Sequence, residues 1–271
     1  MKSRKLSKIA LAVMLAACMA AVGLLAGCSS PSTTNANTNA NTAKAATLEG
    51  HTLNVYCGAG MTEPFTKIAE EFEAQTGCKV EVTFANAAQI QTQIKTTEEG
   101  DFFIAGSVEE LKPVEEYVAS KTELVKHIPV LAVPEGSSVA AFADLANCTT
   151  LLIGDPESTP IGKVAKKALT DAGMWEALNT SGAITTTTTA PQISAALARG
   201  EGDAGIVWKE NVTAQGVKII DCPEMSALVK VIPAAQLASC ADADAAAEFV
   251  KFLGTDTAKN IWTSYGYELV G

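Results

Sequence analysis

Short strand-like runs alternate with helix-period segments along this chain, and that order leaves few architectures open. Leu53-Asn54-Val55-Tyr56-Cys57 predicts a strand, Gly58 to Gly60 a turn, and Thr62 the cap of a helix with Pro64 in its first turn. Phe65, Ile68, Ala69 and Phe72 then fall at i, i+3, i+4 and i+7, one apolar face. Gly77 is placed to end that helix in the left-handed conformation. Lys79 to Phe84 alternates as a strand, Asn86 is set to cap a helix bearing Ile90 and Ile94, and Phe102-Phe103-Ile104 reads as a short buried strand. A βαβα order of this kind predicts a mostly parallel sheet with helices on both faces.

A second block repeats the scheme. Val130 to Val133 runs into Pro134, Leu151-Leu152-Ile153 predicts a strand, and Gly154 to Pro160 a loop. Helices are expected from Ile161 to Ala172 and from Pro191 to about Gly200, with a strand over Ala204 to Trp208 between that point and a C-terminal helical pattern over Ala243 to Tyr265. With 271 residues, 48% of them hydrophobic, the chain can build two cores. The expected division is lobe 1 over 48–131 plus 233–271 and lobe 2 over 134–222, with crossings near 131–134 and 222–233. A ligand cleft is expected at the C-terminal ends of the strands, where α/β sheets bind ligands.

The N-terminus reads as an address. Lys2, Arg4, Lys5 and Lys8 precede an uncharged Ala/Leu-rich run from Ile9 to Gly27. An uncleaved membrane helix is the alternative, since such a run can span a bilayer. Leu25-Ala26-Gly27-Cys28 favours a lipoprotein signal over 1–27, with Cys28 lipidated and membrane attachment through lipid alone. Residues 28–47, rich in Ser, Thr, Asn and Ala, lack periodicity and read as a tether. The expected location is extracytoplasmic.

Lys and Arg number 20 against 30 Asp and Glu, a net charge of −10 that falls to −14 without the signal. Such a chain lacks the basic footprint of nucleic-acid binding. His51 and His127 are the only histidines, which excludes a His-rich metal site, and no cofactor is implied. Beyond Cys18 and Cys28, five cysteines remain: Cys57, Cys78, Cys148, Cys222 and Cys240. They form no CxxC pair. A pairing such as Cys222–Cys240 stays open.

The loop from Gly154 to Lys163 superficially evokes a phosphate loop, yet Glu157 and Val164 stand where a Walker A motif needs Gly and Ser or Thr. No GxSxG occurs, and the acid pairs Glu70-Glu71, Glu98-Glu99 and Glu109-Glu110 read as solvated faces. A nucleophile at Cys57, after a strand and before a glycine turn, is the enzymatic alternative, with no base visible near it. What remains is a set of helix starts: Gly58–Met61, Asn86–Gln89, Ser158–Ile161 and Ala190–Pro191. Each exposes N–H groups with partial positive charge, so four converging starts would hold an anion without a lysine. Every doubly wound fold has such starts, so the pattern alone leaves a purely structural reading open.

VYCGAGMTEPFTKIAEEFEAQTGCKVEV, TFANAAQIQTQI, GDFFIAGS, LLIGDPESTPIGKVAKKALTDAGMWEAL, ARGEGDAGIVW and KNIWTSYGY resemble, in that order, segments of the molybdate-binding solute receptors of ABC importers. The resemblance covers residues 52–267. It implies a type II periplasmic-binding-protein fold, two doubly wound α/β lobes joined by a two-strand hinge, closing around an oxyanion of the molybdate or tungstate class. It implies an ABC permease and ATPase as partners, and a receptor that is no enzyme. The family's first-loop serine falls on Gly60, beside Met61, and its second-helix serine on Ala87, beside Asn86. Its backbone donors fall on Ile161 and Ala190, and its cleft tyrosine on Trp208. Both hydroxyls are lost here, and Trp208 offers only an indole N–H. Asn86, Gln89, Ser158 and Thr159 are the side chains that stand near enough in sequence to replace them.

Overall fold

The computed structural model describes residues 47–271. The signal segment, Cys28 and nearly all of the tether lie outside the described residues.

The first block folds as its periodicity predicts. Strand β1 (Thr52–Gly58) leads through a short turn into α1 (Thr62–Thr76), and β2 (Lys79–Ala85) leads into α2 (Ala87–Thr97). Gly77 ends α1 with φ 79°, the left-handed cap a glycine supplies without Cβ strain. Strand β3 (Phe102–Ile104) follows, then a 3-10 segment over Val108–Tyr117 and the long β4 (Val118–His127).

The second block begins at β5 (Pro129–Pro134). Strand β6 (Leu151–Gly154), α3 (Pro160–Asp171), α4 (Trp175–Thr180), β7 (Ile184–Thr187), α5 (Ala190–Ala198) and β8 (Ala204–Trp208) continue it. Strand β9 (Val217–Ile220) and the short α6 (Pro223–Ser226) complete it. The chain then returns through β10 (Lys230–Leu237) to α7 (Ala243–Leu253), α8 (Asp256–Ser264) and β11 (Glu268–Leu269).

Two mixed sheets result. The first has the order β11-β4-β10-β3-β1-β2, the second β7-β6-β8-β5-β9. In the first, β1 is parallel to β2 and β3, while β10 is antiparallel to β3 and β4. In the second, β6 is parallel to β7 and β8, while β5 is antiparallel to β8 and β9. One core gathers Leu53, Phe65, Phe72, Phe102 and Phe249, with a smaller one around Tyr56, Ile90 and Phe103 on the other face of the same sheet. The second lobe has its own core around Leu131, Ile153, Ile193 and Ile206.

Two expectations need correction. The first crossing lies at Ile128, between β4 and β5, and not at 131–134: Pro129 to Ala132 already pair with β8 of the second sheet. The C-terminal pattern is two helices. It breaks at Gly254 and restarts where the Thr255 side chain accepts from the Ala258 N–H. The return crossing runs between β9 and β10, with Cys222, Met225 and Leu228 still packed in the second core. Because His127 pairs with Lys230, the two crossing strands lie side by side.

One stretch of the second lobe shows how a loop is locked locally. Asp203 Oδ2 accepts from the N–H groups of Thr149 at 2.7 Å and Thr150 at 2.9 Å, and from the Thr149 hydroxyl at 2.8 Å. These bonds, the Thr150 N–H first among them, hold the Asp203 carboxyl below its ordinary range.

Candidate functional site

The strand directions bring two loop-bearing edges together. Gly58 of β1 stands beside Ala85 of β2, and Cys57 beside Ile104 of β3, so the loops after these strands line one edge. Gly154 of β6 stands beside Thr187 of β7, which does the same for the second lobe. Strand β4 ends on the first edge, and β5 starts against Trp208 at the end of β8. Both carboxyl edges therefore meet at the crossings, where the cleft is expected.

Four helix starts follow these strand ends, two from each lobe. Gly60 is exposed, in the turn before α1. Met61 turns its side chain into the first core and is 2% exposed, which leaves only its main chain for a ligand. Ala87 is the first residue of α2. Asn86 caps that helix: its Oδ1 accepts from the Gln89 N–H at 3.0 Å and its Nδ2 donates to Gln89 Oε1 at 2.8 Å. Thr159 is committed in the same way, donating to the Asp155 carbonyl at 2.8 Å and accepting from the Gly162 N–H at 3.0 Å. These side chains do not replace the missing hydroxyls; they build the helix starts.

Ile161 is the second residue of α3, its side chain buried in the second core. Ala190 is the first residue of α5, one earlier than the sequence predicts. Gln192 Oε1 reaches back to the N–H groups of Thr188 at 3.1 Å and Thr189 at 3.3 Å. The N–H groups of Ala87, Ile161 and Ala190 lie in first turns and lack an intrahelical acceptor. Among the described residues, no loop or side-chain acceptor takes them.

The loop from Gly154 to Gly162 owes its form to two glycines, and not to phosphate chemistry. A Cβ on Gly162 would lie 2.3 Å from the carbonyl oxygens of both Asp155 and Gly154. A Cβ on Gly154 would lie 2.3 Å from Thr159 Oγ1. The glycines let the end of β6 and the start of α3 pack backbone to backbone.

Around Trp208, already a candidate, lie three residues that sequence reasoning missed: His127, Glu210 and Glu110. Trp208 is 5% exposed and stacks on His127, with ring centroids 3.7 Å apart and planes at 23°. His127 Nε2 lies 2.7 Å from Glu210 Oε1, and Nδ1 lies 3.2 Å from the Gly106 carbonyl. Glu110, expected on a solvated face, instead accepts from the Gly106 N–H at 2.8 Å, and burial pushes its carboxyl up from the ordinary range. Charged residues inside a strand-end loop gave no apolar period to signal them.

Cys57 is fully buried, and burial raises its thiol well above the ordinary value, so it cannot serve as the nucleophile of the enzymatic alternative. All five described cysteines are free. Cys222 sits in the second core and Cys240 packs on the first, which removes the pairing left open above. A concavity of about 630 Å³ lies in the first lobe, lined by Asn54, Tyr56, Glu81, Gln93 and Asp101 among others, and includes none of the cleft residues. Its acidic rim suits no anion; the cleft, with its free N–H groups, is the better candidate.

The sequence profile of the bacterial extracellular solute-binding proteins matches residues 53–268. The molybdate-binding protein ModA of Escherichia coli (strain K12) is 28% identical over 236 residues, covering 80% of this chain and 89% of that protein. YvgL of Bacillus subtilis (strain 168), assigned as an ABC transporter substrate-binding lipoprotein, is 25% identical over 225 residues, covering 80% and 86%. In structure, a Clostridium difficile substrate binding domain assigned to a molybdenum ABC transporter superposes with a TM-score of 0.69 at 24% identity, over 81% of this chain and 99% of that one. Each of these relatives is described as a binding protein or a substrate binding domain. The two-lobed α/β fold and the match across nearly all of the described residues agree: this chain belongs to the bacterial extracellular solute-binding protein family.

Proposed function

We propose that this protein is a lipid-anchored receptor that takes molybdate, tungstate or a related oxyanion into the cleft and delivers it to an ABC permease driven by an ATPase. The observation that carries the reading is the set of unclaimed main-chain donors at Ala87, Ile161 and Ala190, on helix starts from both lobes. Helix N-termini favour an anion by about 0.3–1 kcal/mol each at exposed sites. Hydrogen bonds to a charged group add about 1.5–3 kcal/mol each. A handful of these reach micromolar affinity, about −8 kcal/mol. The net charge of −10 does not oppose this at short range, because local dipoles face the anion. A site divided between lobes gains contacts on closure, so the solute favours the closed form. The ligand set in this reading is Gly60 and Met61 through their main chain, Ala87, Ile161, Ala190, and the indole N–H of Trp208, with Asn86 holding the start of α2.

Calorimetry against molybdate, tungstate, sulfate, phosphate and chromate tests the reading. One of these oxyanions is expected to bind at micromolar strength or better; heat from none of them would sink it. The lost hydroxyls offer a second arm. A Cβ at Gly60 meets nothing within 4 Å, so Gly60→Ser fits without strain. Gly60→Ser and Ala87→Ser are each expected to tighten molybdate binding about ten-fold, the scale of one bond to a charged group. Unchanged affinity in both would mean the anion sits elsewhere.

Lipid anchoring rests on Leu25-Ala26-Gly27-Cys28 and is supported by the lipoprotein assignment of the Bacillus subtilis relative. Mass spectrometry of membrane-extracted protein is expected to give Cys28 as the first residue, carrying a diacylglyceryl group. An intact 1–27 segment would reject it.

A further inference from the structure

We propose that His127 and Glu210 form an interlobe clasp that ties the lobes together at the crossing, about which they move, and holds the indole of Trp208 there. His127 ends β4 in the first lobe, whereas Glu210 lies in the turn after β8 in the second. Their side chains are 10% and 4% exposed and meet at 2.7 Å. The other ion pairs of the described residues each leave at least one partner well exposed. Exposed pairs contribute little, while breaking a buried one strands a polar group away from water.

One imidazole joins three segments. Nε2 meets Glu210, Nδ1 donates to the Gly106 carbonyl of the loop after β3, and the ring face stacks on Trp208. Glu110 holds Gly106 from the other side through its N–H, so the loop cannot drift from the ring. A second layer backs the clasp. The Lys209 N–H donates to the Ile128 carbonyl at 2.8 Å, directly across the crossing. Lys209 also pairs with Glu268, and the Tyr267 ring lies 6.2 Å from His127. A rotation of one lobe on the other at this crossing must carry these contacts or break them. His127 is thus a positioning residue for Trp208, whichever solute the cleft takes.

Hydrogen–deuterium exchange of the full chain in detergent micelles, without solute, tests the clasp in His127→Gln, Glu210→Gln and the double variant. Peptides spanning 126–130 and 206–211 are expected to exchange about ten-fold faster in each single variant, the scale of one lost charge-assisted bond. The double variant is expected to match the faster single, because the two act as a unit. Amides of β1 and β6, deep in the two cores, should keep the parent's rates. Trp208 emission, read as the difference from a Trp208→Phe control, should change in both single variants. Crossing peptides within two-fold of the parent overturn the proposal. So does acceleration spread evenly through both cores with unchanged Trp208 emission, the mark of a pair that only adds stability. Glu210→Gln keeps the side chain's size and decides the matter if His127→Gln unfolds; global loss of protection in both also overturns a local clasp.

Discussion

A Phe249→Ala variant is expected to unfold about 3–5 kcal/mol more readily than the parent, the range for emptying a buried aromatic site. Phe249 lies on α7 and is fully buried. Its ring meets Phe72 of α1 at 5.0 Å and 72°, Phe102 of β3 at 5.0 Å and 65°, and Phe65 at 6.5 Å and 85°. Edge-to-face pairs of this kind add about 0.5–1.5 kcal/mol each beyond the area they bury. The ring also ties a C-terminal helix to the first helix and sheet, so its loss should loosen the first lobe before the second, whose core is separate. Urea unfolding, followed by a lobe 1 signal and a lobe 2 signal, checks this. A loss below about 1 kcal/mol, or coincident weakening of both lobes, would count against Phe249 as the anchor. Phe249→Leu, which keeps most of the volume, should cost less than about 1.5 kcal/mol.

Gly162→Ala should also destabilise, against the usual trend. Gly162 lies within α3, and in an ordinary helix interior alanine is favoured over glycine by about 1 kcal/mol. Here the new methyl meets two carbonyl oxygens at 2.3 Å, and neither belongs to a flexible side chain. The start of α3 must shift away from β6, at a cost of about 3 kcal/mol. The shift also moves the Ile161 N–H and the Thr159 cap, so solute binding should weaken more than ten-fold even where the body stays folded. Thermal unfolding and calorimetry together check both effects. A variant as stable as the parent, or more stable, would show that this loop is not packed backbone to backbone.

The site was legible in the sequence where it depends on local chemistry. Asn86 and Thr159 were readable as caps and as pocket candidates alike, because one side chain oxygen serves either role; the short contacts to Gln89 and Gly162 decided for capping. The Met61 side chain turns into the first core, so only its main chain is left for a ligand, while Ile161, expected only as a main-chain donor, has its side chain in the second core. Glu110 looked like half of a solvated acid pair. Its place beside Gly106 depends on a loop that also meets His127 at the end of β4, a contact that nothing in Glu110's own segment reveals.

The sequence by itself determined the parts that local forces govern. Periodicity set α1 and α2, the left-handed stop at Gly77 followed from glycine's missing Cβ, and the strands rich in Val, Ile and Phe declared themselves. The alternating order of these elements was enough for a two-lobed α/β body. Tertiary structure decided the hinge. Strand β4, with Ser, Lys, Thr, Glu and His among its residues, has no clear alternation, and its place between β11 and β10 comes from partners remote in the chain. The same is true of His127 and Glu210, which no spacing rule could have paired. Only when β4 and β8, from two different sheets, end at the same crossing do an imidazole, a carboxylate and an indole share a buried volume, and burial is what turns that contact from a surface pair into a joint.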